Sequence, residues 1–327
     1  MALASGGMLA GTARAATKEA AAKPAKFEVG KSYFGENQYI EYLPGNAPVI
    51  LTAPHGGSLR PDTIPDRTRD ACAARTVVAN DSNTAALVLA MRESFHARFG
   101  TYPHVVINRL ARRKLDANRG VKDGACGNPD AERALTEWHA FIDAAKAQVL
   151  ETTGRGWYMD IHGHAHAIPR LELGYLLTGD QIDRTDDELN ASAALKGKAS
   201  VRTLLKGPAP LSTLLRGPTS LGTLFAENGF PAVPSAGDPG PQGERYFGGG
   251  DNTRRHTCGS AASPAGGTTD GMICGVQIET NFKGVRDTPE NRQRFGDATA
   301  IALEKFLGAH WGIELKAKEA VKAAGQK

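Results

Sequence analysis

Residues 157–166 read WYMDIHGHAH, an apolar run of strand length that closes on acid and imidazole side chains instead of a turn. Residues 157–161 predict a buried strand. Asp160 and His162, two apart, share one face of it. In α/β sheets ligands gather at the carboxyl ends of strands, so a strand that ends this way suggests a largely parallel sheet with chemistry along one rim.

Working outward, the same pattern recurs. Val49–Ala53 (VILTA) is halted by Pro54-His55-Gly56-Gly57, and further strands are predicted at 105–110, 171–177 and Ile273–Thr280. Helices are predicted at 81–99, which opens on Asp-Ser and stops before Gly100, at 130–150 after Pro129, and at 289–310. Residues 185–230 read as helix broken by Gly-Pro, fitting a lid, a specificity insert or plain scaffold. Residues 231–271 read as long Gly, Pro, Ser and Thr-rich loops, a length that usually serves function. The alternation of strands and helices gives an α/β fold: a single domain with a mixed, largely parallel sheet between helices.

A chain of 327 residues, 41% hydrophobic, is long enough for a full-sized core, and its 38 glycines and 18 prolines follow no fixed period, which excludes collagen and disorder. No apolar run approaches the ~18 residues of a membrane span. The net charge of +4 sits at the ends. Residues 1–26 carry four basic groups against Glu19, and 313–327 carry four lysines against Glu314 and Glu319, which leaves 27–312 at −1. That body is no nucleic-acid binder.

Residues 1–15 end in Ala13-Arg14-Ala15 and read as the back half of an export signal, followed by a spacer to residue 26; 27–312 form the catalytic domain and 313–327 a basic tail. In an exported protein Cys72, Cys126, Cys258 and Cys274 favour two disulfides over a zinc-thiolate site. Three pairings are open. Cys258 with Cys274 is preferred, closing a loop of the length worth ~3 kcal/mol.

Catalytic zinc takes about three imidazole or carboxylate ligands, an open position and a nearby base. His55 and His162 follow strands and can supply imidazoles, with His164 beside them. Asp160 would orient His162 from behind. Glu279 alternates with Val276 and Ile278 in a strand that has little use for a carboxylate unless it works as a general base. Asp116-Ala117-Asn118-Arg119, preceded by Arg109, Arg112 and Arg113, offers a guanidinium fork and an amide to a substrate carboxylate, or is a solvated basic turn.

Taken in order, APHGG (53–57), KLDANRG (114–120), YMDIHGHAH (158–166), LELGYLL (171–177), YFGGG (246–250) and VQIETN (276–281) resemble the N-formylglutamate amidohydrolase-like family. The resemblance spans roughly 45–310. It implies a zinc carboxypeptidase or phosphorylase/hydrolase-like fold, one zinc per chain, and cleavage of the amide of an N-acyl amino acid. His55 and His162 match the metal histidines, Asn118 and Arg119 the pair that holds the substrate carboxylate, and Glu279 the carboxylate that activates water. There are departures. Ser58 stands where His-x-x-Glu would place a ligand, so the third ligand is expected to be Asp81, with Asp66 and Asp70 as alternatives. Gly56 and Gly163 stand where serine is expected. Arg112 or Arg113 is expected at the oxyanion, and His164, Arg254 and His256 complete the substrate-binding candidates. The expected partner is a small carboxylate-bearing amide, with neither nucleic acid nor membrane. Two other readings stay open: an exported carboxypeptidase or hydrolase of γ-glutamyl or cell-wall peptides, and a non-catalytic binding protein on the same scaffold.

Overall fold

The structure, a computed structural model, describes residues 27–72, 76–258 and 271–318. The export signal expected in 1–26 and the end of the basic tail lie outside the described residues. The strands are β1 (Tyr33–Phe34), β2 (Ile40–Leu43), β3 (Val49–Ala53), β4 (His104–Asn108), β5 (Gly156–Gly163), β6 (Leu171–Gly174), β7 (Ala232–Val233) and β8 (Ile273–Thr280). They form one eight-stranded sheet in the order β1-β2-β4-β3-β5-β8-β6-β7. The centre, β4-β3-β5-β8, is parallel; β2 and β6 run antiparallel beside it. This is the mixed, largely parallel α/β sheet that the sequence predicts.

Three long helices cover it: α1 (Thr84–Phe99), α2 (Pro129–Thr153) and α3 (Pro289–Trp311). Alternation along the strands sends successive side chains to two cores. Leu51, Trp157, Met159, Ile161, Val276 and Ile278 face α1 and α3. Ile50, Tyr158 and Ile273 face α2. On that second face the apolar residues stop short of the strand ends, where Asp160, His162, Gln277 and Glu279 take over, all buried. The register sets His162 directly beside Glu279.

Three boundaries moved for reasons the structure shows. β4 stops at Asn108 rather than 110, because the Asn108 amide turns to the Pro54 carbonyl (2.8 Å) and the chain leaves the sheet. β6 stops at Gly174 rather than 177, because Leu176 adopts φ +66° and donates its N–H to Gly248 O (2.6 Å). α1 begins at Thr84 rather than 81: Asn83 is left-handed, and Asp81 remains outside with its N–H on the His55 carbonyl (3.1 Å). The short β1, β2 and β7 carry too few alternations to be read from sequence.

Residues 185–230 form short helices whose Leu189, Leu195, Leu211, Leu214, Leu215 and Phe225 are buried in the core beside α3, so this stretch is scaffold away from the strand-end rim. Packing continues past 312: Ile313 is buried, and Lys318 N–H bonds Arg98 O (2.8 Å). Two disulfides close Cys72–Cys126 and the expected Cys258–Cys274. No described helix is long and apolar enough to cross a membrane.

Candidate metal centre

Three chain segments meet at the carboxyl ends of β3 and β5. Pro54-His55-Gly56-Gly57 leaves β3 against the start of α1, so tightly that a Cβ on Gly56 would lie 2.4 Å from the Ala85 nitrogen. This is the physical reason for glycine where serine is expected. His55 Nδ1 then lies 3.1 Å from Asp81 Oδ2, and His162 Nδ1 lies 3.2 Å from the same oxygen. The remaining ring nitrogens point outward to carboxylates: His55 Nε2 meets Asp116 Oδ1 (2.7 Å), and His162 Nε2 meets Asp160 Oδ2 (2.9 Å). Thr52 Oγ1 donates to the other Asp160 oxygen (2.6 Å), and Arg112 Nε to the other Asp116 oxygen (3.0 Å). Each imidazole is therefore locked in orientation by a braced carboxylate, with Nδ1 left to face inward.

The electrostatics match a cation. Burial alone would raise the Asp81 carboxyl, but the two imidazoles outweigh it and hold it far below its ordinary value. Burial opposes the charge on Asp116 too, yet His55, Arg112 and Arg67 keep it ionised. His162 is pushed down by burial and, more strongly, up by Asp160, Asp81 and Glu279, ending well above the usual imidazole value. Four carboxylates thus crowd two imidazoles. Ligand atoms around a tetrahedral zinc, each ~2.1 Å from the ion, stand roughly 3.4 Å apart. The spacing of His55 Nδ1, Asp81 Oδ2 and His162 Nδ1, their imidazole-plus-carboxylate donor set and the carboxylate behind each ring fit such an ion.

Glu279 completes the group. Its Oε1 lies 3.9 Å from His162 Nδ1 and accepts from Gln277 Nε2 (2.9 Å). Burial raises its pKa to about 7, opposed by His162 and assisted by Asp81 and Glu172. Asn118 lines the same cleft. Its Oδ1 accepts the Asn252 N–H (2.8 Å), while its Nδ2 has only Gln277 Oε1 at 3.4 Å as acceptor, since the nearby His162 Nε2 serves Asp160. One amide donor is left for a guest. Arg119 is exposed at the mouth without an ion pair among the described residues. The cleft measures about 640 Å³.

The structure brings together His55, Asp81, His162, Asp160, Glu279, Asn118, Arg119, Arg112 and His164. It does not bring Arg113, which pairs with Asp66 (3.1 Å) at the surface, as does Lys114 (3.0 Å); this removes Asp66 as a ligand, and Asp70 is exposed outside the cleft. Arg254 is exposed on Asp251 (2.6 Å). His256 is buried elsewhere against His139 (2.9 Å), and burial pushes its pKa down to about 4. Arg112 braces Asp116 and Asp81 (3.4 Å), so its charge is already engaged.

Two participants escape the sequence reading. Asp116 lies in a quoted motif but as the orienter of His55. Arg286 follows β8 and lays its guanidinium over Gly163, where a Cβ would come within 2.3 Å of it; it is held by the carbonyls of Ser82, Thr280 (3.1 Å) and His164 (3.4 Å), with Nε buried and unpaired. The Gly163 departure was its only signal.

No protein-family model and no curated protein matches the chain. Among solved structures, the chain is similar to the N-formylglutamate amidohydrolase from Ralstonia eutropha JMP134, with 14% identity over 84% of this chain and 99% of that one and a TM-score of 0.45. It is similar to a gene product from Agrobacterium tumefaciens at 15% identity, covering 84% and 98%, with a TM-score of 0.44. The N-acetylmuramyl-L-alanine amidase from Mycobacterium abscessus is a further match at 13% identity, covering 79% and 98%, with a TM-score of 0.31.

Proposed function

We propose that this chain is an exported zinc-dependent hydrolase that cleaves the amide of an N-acyl amino acid. The observation that carries the reading is the convergence of His55 Nδ1, Asp81 Oδ2 and His162 Nδ1 beside Glu279, at the floor of a cleft whose mouth holds an arginine with no ion pair among the described residues. His55, Asp81 and His162 would hold the ion. When bound, zinc supplies a positive centre that polarises the amide carbonyl and makes water acidic enough to lose a proton near neutral pH.

The chain's own residues do the rest. Glu279 takes the water's proton on a carboxylate oxygen, in a buried position where the charged form is not favoured over the neutral one as it is in water. Asp160 and Asp116 keep both imidazoles in one tautomer, so neither ring has to reorient during turnover. Asn118 Nδ2 and Arg119 offer donors to the substrate carboxylate. Arg286, fixed by three carbonyls, places positive charge on the cleft wall, in the role that the sequence reading gave to Arg112 or Arg113.

The test is a panel of N-acyl amino acids and small peptides, assayed with zinc-loaded and chelator-stripped protein. Chelator-sensitive cleavage of N-acyl amino acids supports the proposal. Cleavage of peptides alone gives the carboxypeptidase reading, and binding without turnover gives the non-catalytic one.

A further inference from the structure

The cleft contains a second imidazole–carboxylate group, made by His164, His166 and Glu172. Glu172 is 1% exposed. One of its oxygens accepts the Phe247 N–H (2.9 Å), and the other meets His166 Nδ1 at 2.7 Å. His164 is occupied at both nitrogens, with Nε2 on the Arg170 carbonyl (2.8 Å) and Nδ1 accepting the His166 backbone N–H (3.1 Å). Its Nδ1 stands 4.0 Å from Glu172, so these atoms are spaced as a hydrogen-bonded chain and not as an even ligand set.

What is left is one nitrogen. No described protein group bonds His166 Nε2, and His166 lines the cleft. Its ring is fixed by Glu172 at one edge and by stacking on Phe247, with centroids 4.7 Å apart and planes at 18°. Location adds meaning to this. Glu172 on β6 is the direct cross-strand partner of Glu279 on β8, and such partners have Cβ atoms about 5 Å apart. Glu279 therefore stands between the strand that carries His162 and the strand that carries Glu172.

We propose that His166, oriented by Glu172, is a catalytic residue that protonates the departing amine. This rests on the amide-hydrolase reading above. In the step, water's oxygen bonds the acyl carbon and one water proton moves to Glu279. The C–N pair leaves with nitrogen, which takes the proton from Nε2 of the His166 imidazolium while Nδ1–H stays on Glu172. The proton on Glu279 then passes through solvent to His166, restoring both groups. An oriented base with a buried carboxylate behind it is the arrangement proton transfer requires.

The experiment compares an N-acyl amino acid with its ester analogue, in which oxygen replaces the leaving nitrogen, using zinc-loaded native, His166→Gln and Glu172→Gln proteins. An alkoxide departs with less help from an acid than an amine does. His166→Gln is expected to lose about 100-fold in kcat on the amide and less than about 5-fold on the ester, with bound zinc unchanged. Glu172→Gln should show the same selectivity to a smaller degree. Equal losses on amide and ester, or none on either, overturn the role of His166 and leave the hydrolase reading intact. A fall from two bound metal ions to one in His166→Gln would make the group a metal site and also overturn it. Native zinc-loaded protein that cleaves neither substrate overturns both.

Discussion

The two imidazole–carboxylate groups of this cleft use the same side chains on the same rim, and they differ in which ring nitrogen is tied down. At His55 and His162, Nε2 is anchored outward on Asp116 and Asp160, and both Nδ1 atoms converge on one Asp81 oxygen. At His166 it is Nδ1 that is anchored, on Glu172, and at His164 both nitrogens serve the backbone. The groups behind the rings, more than the count of histidines, decide whether a cluster suits a cation or a proton.

The strongest attack on this contrast is to remove one histidine from each group. His162→Ala should lose bound zinc and with it turnover, whereas His164→Ala should keep one zinc per chain, both read by metal analysis of dialysed protein. If the two variants lose zinc equally, the contrast is gone. Next in size, Glu279→Gln should retain zinc and lose at least ~100-fold in kcat, because an amide cannot accept the water's proton. The carboxylates behind the rings come third: Asp116→Asn and Asp160→Asn should each weaken zinc binding by ~10–100-fold in a competitive chelator titration, while Glu172→Gln leaves affinity unchanged. Arg119 serves neither group. Arg119→Lys should raise KM about tenfold for a free-acid substrate by losing the guanidinium fork, leave an amidated one unaffected and leave zinc content untouched.

A third histidine pair extends the comparison to rings that burial keeps neutral, and its effect is absent at neutral pH. Burial, aided by neighbouring positive groups, lowers His139 to about 3 and His256 to about 4, below the unfolded value of ~6.5. The unfolded chain then binds protons that the folded one refuses, so stability falls as pH drops from about 6.5 toward 4. A melting temperature that stays flat across that window would show that these rings titrate normally.

Much of this was legible because strand ends are legible. VILTA-PH, WYMDIH and VQIET each place a chemical group where an apolar run stops, and parallel pairing brings those stops to one rim. Asp81 reaches both imidazoles although its helix begins three residues later than expected, since its position outside the helix is what frees the carboxylate. Directions of side chains in irregular segments were not legible. Arg112 and Arg113 are neighbours, yet one braces Asp116 and the other faces Asp66 at the surface. His256 ends a short helix that turns it under the sheet, and Arg286 sits in FKGVR, which has no pattern of its own.

The proposed ligands come from segments far apart in the chain: His55 and Asp81 are separated by 26 residues, and Asp81 and His162 by 81. No segment that could order by itself contains the site, and its completion waits for β3 and β5 to pair. Contacts of such separation form slowly. Zinc should therefore be captured late in folding, and because it binds only the assembled sheet it should act afterwards as a clasp, raising the unfolding temperature with its free concentration by mass action.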